Sequence, residues 1–192
     1  MITNEFMEAV EKGCDFGLRS PKTGMVLHTV SARDLWAKML QARMEQGEPY
    51  FLFIDNVNDA IPYHHQKLGL TVKQSNLCVE ITLPTGIDHL GKDRTAVCCL
   101  SSINLERWDD YKHDIAGLVE DALRMLDNVL EDFIQNAPPE FAKAVYSAIR
   151  ERSVGLGVMG FHSYLQSKGV PFESQEAKPV SYTHLTLPTI LL

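Results

Sequence analysis

The chain has 192 residues, 45% of them hydrophobic, a formal net charge of −7 and four cysteines. That length and apolar content support one globular core or a large part of a bigger one, while the acidity argues against nonspecific nucleic-acid binding, since no basic stripe is present to neutralise phosphates. No stretch approaches the uninterrupted apolar length of a membrane span, Met1-Ile2-Thr3-Asn4-Glu5 lacks the basic and apolar regions of a signal peptide, and cysteines in such a chain imply a reducing, cytoplasmic compartment.

In chain order the pattern alternates helices and strands, an α/β arrangement. Ser31 with Asp34 three residues later makes a capping-box-like start, Leu35, Trp36, Met39 and Leu40 give helical periodicity, and Gly47 with Pro49 supplies the stop. A helix is predicted over 32–46. Tyr50-Phe51-Leu52-Phe53-Ile54 is a continuous apolar run between Pro49 and Asp55, which predicts a strand buried on both faces inside a parallel sheet. Asn56, Asn58, Pro62 and Gly69 break the pattern over 55–74, a loop with one helical turn. Pro84-Thr85-Gly86 reads as a turn, 87–94 as a polar connection, and Thr95 to Leu100 as the next strand.

Ile115, Leu118, Val119, Ala122, Leu123, Leu126, Val129, Leu130 and Phe133 form the apolar stripe of the longest helix. Glu120, Asp121, Arg124, Asp127 and Asp132 give it a solvated face. Pro138-Pro139 ends it, and a second helix is predicted from about Glu140 to Glu151. Gly155-Leu156-Gly157-Val158-Met159-Gly160 matches G-x-G-x-x-G, but a dinucleotide fingerprint needs a preceding strand, a helix opening at the glycines and an acid about twenty residues later. Here a polar helical stretch, Ala144 to Arg152, comes first. The glycines read instead as points of close backbone packing before a helix over Phe161 to Ser167, ended by Gly169.

The chemistry concentrates at Asn76-Leu77-Cys78-Val79-Glu80, which places an amide, a thiol and a carboxylate at alternate positions. If extended, the three share one face, Leu77, Val79 and Ile81 take the other, and neighbours of the trio lie roughly 7 Å apart, about the spread of hydroxyls on a sugar. A nucleophilic cysteine needs an imidazole, a cation or a helix N-terminus close by. Cys78 has Glu80, and the only nearby cation, Lys73, is five positions away with opposite parity. A carboxylate neighbour disfavours a thiolate, so Cys78 reads as a neutral S–H beside a base, which suits hydrogen-atom chemistry better than acyl transfer. Spacing alone also admits a buried structural cysteine with two solvent-facing polar neighbours.

Gln74-Ser75-Asn76-Leu77-Cys78-Val79-Glu80-Ile81-Thr82-Leu83-Pro84 resembles the finger-loop signature of the ribonucleotide reductase large subunit. Ala96-Val97-Cys98-Cys99-Leu100-Ser101-Ser102-Ile103-Asn104-Leu105 is similar to that family's strand bearing a redox cysteine. Arg150-Glu151-Arg152-Ser153-Val154-Gly155-Leu156-Gly157-Val158-Met159-Gly160-Phe161 matches the segment that follows in family order. The resemblance spans roughly Ile2 to Lys178.

Carried over, the resemblance makes Cys78 the site of a transient thiyl radical that takes the hydrogen from C3′ of the ribose, and Glu80 the base on the 3′-hydroxyl. Asn76 would hydrogen-bond the ribose hydroxyls, with Ser75 beside it as a further substrate-binding residue. Cys98 would be one half of the dithiol that reduces the 2′ carbon, chosen over Cys99 because the family's cysteine directly follows the apolar pair; strand parity sets the two on opposite faces. The partner thiol is expected upstream, where Gly13-Cys14-Asp15-Phe16-Gly17 does not resemble its site. The fold implied is part of a ten-stranded α/β barrel with a central finger loop carrying the radical cysteine. No cofactor is expected on this segment itself. The parent needs a radical source, either a metal-carrying small subunit or adenosylcobalamin, and a thioredoxin- or glutaredoxin-type dithiol reductant. A ribonucleoside diphosphate or triphosphate substrate and a homodimeric parent are implied as well, with no nucleic-acid or membrane partner.

No metal site is predicted. Adjacent side chains such as His64 and His65 diverge on regular elements, and neither Cys-x-x-Cys nor His-x-x-x-His lies nearby. From Pro179 the chain departs from the family, and Val180 to Thr189 reads as one frame of a sequencing adapter, so residues 1–178 are taken as a partial catalytic barrel and 179–192 as a non-native tail. Open strand edges and uncovered helix faces would make such a piece poorly soluble and inactive alone. The competing readings are a noncatalytic α/β interaction module that keeps the family sequence, and a cysteine hydrolase, for which no histidine partner of Cys78 is evident.

Overall fold

The computed structural model describes residues 1–178; the segment 179–192, expected from the sequence to be a non-native tail, lies outside the described residues. Thr3 opens α1 (Asn4–Lys12) by accepting the Phe6 N–H, and Gly13 closes it. A hairpin follows, β1 (Asp15–Arg19) antiparallel to β2 (Val26–Ser31). It leads straight into α2 (Ala32–Gln46), where Ser31 Oγ accepts the Asp34 N–H at 3.3 Å, the cap the sequence predicts. Ile2, Phe6 and Ala32 are buried between these elements, with Phe16, Trp36 and Phe51 packed around them. The Phe6 ring meets Phe16 edge-on at 5.1 Å and Trp36 at 6.3 Å. Burying such a ring contributes about 1.5–3 kcal/mol and ties α1 to both the hairpin and α2.

The apolar run at Tyr50–Ile54 is not the buried strand expected. Phe53 makes a single parallel bridge with Ile2, through Ile2 N–H to Leu52 O at 2.7 Å and Ile54 N–H to Ile2 O at 3.0 Å. The chain then turns at once into α3 (Ile54–Asp59). Leu52 is buried, but Tyr50 and Phe51 lie under the Arg43 guanidinium, 5.3 and 5.6 Å from their ring centroids, so a cation covers them where a neighbouring strand was expected. After α4 (Tyr63–Lys67), the 55–74 stretch holds two short helices rather than one turn. The connection at 87–94 is a small hairpin, β3 (Gly86–Ile87) with β4 (Asp93–Arg94). These elements make one compact unit, Met1–Thr95, and a second begins at Ala96.

The second unit is a parallel pair, β5 (Cys99–Asn104) and β6 (Val154–Met159), in register from Cys99 opposite Val154 to Asn104 opposite Met159. A 3-10 turn at Leu105–Arg107, the short α5 (Trp108–Tyr111), α6 (Ile115–Asn136) and α7 (Ala142–Glu151) connect them. The strand expected at 95–100 therefore starts later, because β6 sets the ladder and pairing begins at Cys99. The predicted stripe of α6 turns Leu126 and Leu130 inward. Asp127, read as part of the solvated face, accepts from Arg152 Nη2 at 2.8 Å, while Arg152 Nη1 donates to Glu131 at 2.6 Å. That guanidinium, and then the Gln135 amide, hold the Glu131 carboxyl below its ordinary range. Among the described residues no helix is long and apolar enough to cross a membrane.

The G-x-G-x-x-G run is β6 itself, followed by α8 (Phe161–Ser167) as predicted. Its glycines serve close packing. A Cβ at Gly155 would stand 2.5 Å from Leu100 Cδ2, and at Gly160, where φ is +71°, it would collide with Asn104 Oδ1. Asn104 Oδ1 caps the following turn by accepting the Glu106 N–H at 3.1 Å. Gly160→Ala therefore combines a left-handed penalty with a disturbed cap, and is expected to destabilise the second unit by about 2 kcal/mol in urea unfolding followed at Trp108. Gly157→Ala, whose added methyl meets Ser102 Oγ at 3.4 Å, is the control. Equal losses in the two variants would count against the packing role.

Candidate functional site

Residues 71–85 form two arms that meet at their base, where Thr85 N–H donates to Thr71 O at 3.2 Å. The outgoing arm is rooted at Val72, which is 1% exposed. Asn58 of α3 holds that residue's backbone from both sides, accepting its N–H at 2.8 Å and donating to its carbonyl at 2.9 Å. The amide thus replaces a strand partner. On the return arm Pro84 is buried. Directly beyond, Arg94 Nε donates to Asp88 Oδ2 at 3.0 Å with side chains only 2% and 0% exposed. Asp88 Oδ1 also accepts the Leu90 and Lys92 N–H groups at 2.8 and 3.1 Å, which closes the β3–β4 turn.

Between the arms the expected alternation is not what forms. Asn76 to Val79 is a turn, with Val79 N–H donating to Asn76 O at 3.2 Å and Val79 at φ +70°. A β-branched residue rarely adopts that conformation. The turn destroys the two-residue periodicity, so a shared face for Asn76, Cys78 and Glu80 does not follow from strand parity. The physical reason is local competition: serine and asparagine side chains offer the backbone partners that a strand ladder would otherwise supply. Ser75 Oγ donates to Ile81 O at 2.5 Å and lies 3.1 Å from Asn76 Oδ1, while Ile81 N–H donates to Asn76 Oδ1 at 3.1 Å.

The outcome is a closed tip. Cys78 and Glu80 are exposed on it, as is Leu77 at 84%, while Val79 and Ile81 are half-buried on the anchoring side. Because Asn76 Oδ1 faces an N–H donor, its Nδ2 is directed away from the Ile81 clamp. The tip therefore presents an S–H group, a carboxylate and an amide donor within five consecutive residues. That set can exchange a hydrogen atom, take a proton and hold a hydroxyl oxygen.

Cys98 belongs to the second unit and stands just ahead of β5, half-buried. Its thiol is directed to Cys99 O at 3.8 Å, and its sulfur sits 3.9 Å from where a Cβ on Gly155 would lie. Cys99 is half-buried too, Cys14 is exposed between α1 and β1, and none of the four is disulfide-bonded. His64 and His65 do not diverge as expected: their rings meet edge-on at 4.3 Å. Among the described residues no group of three or more His, Cys, Asp or Glu side chains is placed to hold a metal.

Residues 1–187 match the family model for the ribonucleotide reductase barrel domain. A Frog virus 3 protein provisionally named a ribonucleoside-diphosphate reductase large subunit is 50% identical over 179 residues, covering 92% of this chain. The ribonucleoside-diphosphate reductase large subunit of Invertebrate iridescent virus 3 is 47% identical over 160 residues, 83% of this chain. Among solved structures, the class Id ribonucleotide reductase alpha subunit of Actinobacillus ureae superposes on 94% of the chain with a TM-score of 0.73 and 36% identity. The chain spans 30% and 24% of the two viral proteins and 31% of the solved chain.

Proposed function

We propose that this chain, which belongs to the ribonucleotide reductase barrel-domain family, acts as part of a catalytic subunit that reduces ribonucleoside diphosphates to deoxyribonucleotides for DNA synthesis. The observation that carries the reading is the closed tip at 75–81, which exposes Cys78 and Glu80 together on a loop anchored by Asn58, Ser75 and Asn76. In the whole subunit, residues 71–85 would be the finger loop at the centre of a ten-stranded α/β barrel, and the parallel β5 and β6 two of its strands.

In the proposed reaction the Cys78 sulfur, as a thiyl radical, takes the hydrogen atom from C3′ of the ribose. Glu80 takes the 3′-hydroxyl proton. Asn76, whose carbonyl oxygen is committed to Ile81, donates from Nδ2 to a ribose oxygen. Cys98 and a second cysteine of the whole subunit supply two electrons and two protons as the 2′-hydroxyl leaves as water and C2′ gains a hydrogen, and they end as a disulfide. Cys78 then returns the hydrogen atom to C3′ and is again a thiyl radical, and Glu80 returns the proton to the 3′-oxygen. The relatives' names favour the two-subunit, diphosphate-using type. A metal-carrying small subunit then provides the radical, a thioredoxin- or glutaredoxin-type protein restores the dithiol, and the subunit works as a cytoplasmic homodimer.

The redox assignment is tested by a single turnover. The whole prereduced subunit, given its radical source and a ribonucleoside diphosphate but no external reductant, is expected to form deoxynucleotide while Cys98 becomes resistant to alkylation and Cys99 does not. Protection of Cys99 instead would move the redox role by one residue. Deoxynucleotide formation with both thiols still reactive would remove it from this strand, and no deoxynucleotide at all would leave the interaction-module reading.

A further inference from the structure

We infer that Ser75 is a positioning residue that acts on the reaction through the loop backbone, not a hydrogen-bond donor to the nucleotide; this rests on the reductase reading of the same loop. The hydroxyl of Ser75 has one proton, and at 2.5 Å from Ile81 O that proton is committed. The other polar group of Ile81, its N–H, is held by the neighbouring Asn76 side chain at 3.1 Å. Two consecutive side chains on the outgoing arm therefore grip both backbone polar groups of one residue on the return arm. Cys78 sits between these anchor points, as the residue before Val79 in the turn that Asn76 O closes.

The backbone shows why such a grip is required. Val79 has φ +70°, and a β-branched residue holds that conformation only where its surroundings over-determine it. The peptide on either side of Val79 sets the directions in which Cys78 and Glu80 leave the chain. If the Ser75 bond to Ile81 is lost, Val79 can relax toward negative φ, and the segment returns to the extended form in which thiol and carboxylate are redirected. Hydrogen transfer tolerates little of that, since a misplacement of about 1 Å can cost about a hundredfold in rate. Binding of a nucleotide draws on contacts over the whole ligand and is affected far less. The hydroxyl accordingly supports kcat more than KM.

The test compares Ser75→Ala and Ser75→Thr with wild type in the whole subunit, by steady-state kinetics and by amide hydrogen exchange without nucleotide. Ser75→Ala is expected to lower kcat by about 10- to 100-fold with KM unchanged, and to speed exchange at the Val79 and Ile81 amides. Ser75→Thr, which keeps the hydroxyl, is expected to restore both. A raised KM with kcat intact would make Ser75 a substrate contact and overturn the inference, as would exchange that Ser75→Ala leaves unchanged. A wild-type subunit that does not reduce nucleotides would fail the reductase reading alone, because the exchange measurement still decides whether Ser75 holds the loop.

Discussion

Cys78→Ser in the whole subunit is expected to abolish nucleotide reduction while leaving nucleotide binding and folding nearly unchanged, measured by deoxynucleotide formation, equilibrium binding and urea unfolding. Cys78 is exposed at the tip of the 75–81 loop, so exchanging sulfur for oxygen there opens no cavity and leaves no buried group unsatisfied. The effect falls on the chemistry. A thiol can pass a hydrogen atom to and from carbon because its S–H bond is comparable in strength to the C–H bond it attacks; the O–H bond of serine is much stronger. Even a barrier raised by about 4 kcal/mol removes about a thousandfold in rate, which places the variant at background. The same substitution separates the rival readings. A cysteine hydrolase would keep a nucleophilic hydroxyl at the position, and a noncatalytic module would have no turnover to lose. Glu80→Gln retains shape but not basicity, and belongs to the same experiment with a smaller loss of about 10²- to 10⁴-fold. Reduction that survives in Cys78→Ser would end the radical assignment.

The residues proposed for this chemistry were named from the sequence; their geometry was not legible there. A thiol beside a carboxylate suggests the same chemistry wherever the chain runs, and three blocks in order resemble the family whose barrel-domain model the chain matches. The alternation argument, by contrast, presumed an extended backbone, and Val79 at φ +70° is set by side-chain bonds from Ser75 and Asn76 to Ile81 that no periodicity encodes. Helices with their own punctuation came through well. Ser31 and Gly47 bracket α2 as expected, and the apolar stripe places α6. Elements that depend on a distant partner did not. The Tyr50–Ile54 run looked like a buried strand because apolar length does not reveal what covers it, and Arg43 does. The β1–β2 hairpin was missed because β2 leaves Val26, Leu27, His28 and Thr29 exposed, without the inward and outward alternation by which a half-buried strand is recognised. Asn58 read as a helix breaker, yet it anchors Val72 across fourteen positions by a contact that only the fold creates.

Asp88 and Arg94 are the sharpest case of that blindness, and they carry the largest expected stability effect. In a polar connection two opposite charges read as solvated, yet the ion pair is almost wholly enclosed, with side chains 0% and 2% exposed. Removing one partner of such a pair typically costs about 3–5 kcal/mol, because the other charge stays in a medium that solvates it poorly. Asp88→Ala is expected to lie at the upper end, since it also strips the acceptor from the Leu90 and Lys92 N–H groups. Asp88→Asn keeps an oxygen for those two donors but loses the charge and sets an amide NH2 where Arg94 Nε–H had its acceptor, so it should fall between alanine and wild type. Arg94→Met leaves the carboxylate its two backbone donors and should cost less than Asp88→Ala. Combining Arg94→Met with Asp88→Leu removes both charges at once, and is expected to recover the part of the loss that comes from an unpaired buried charge, while the part that comes from the Leu90 and Lys92 N–H groups remains. Urea unfolding followed at Trp36 reads the first unit, with Trp108→Phe silencing the second tryptophan of the chain. The hairpin continues directly from the return arm of the site loop, so Asp88→Ala should also speed amide exchange from Ile81 to Thr85. If Asp88→Ala unfolds at the wild-type urea concentration, water already reaches the pair, and the β3–β4 hairpin is not what fixes the far end of the Cys78 loop.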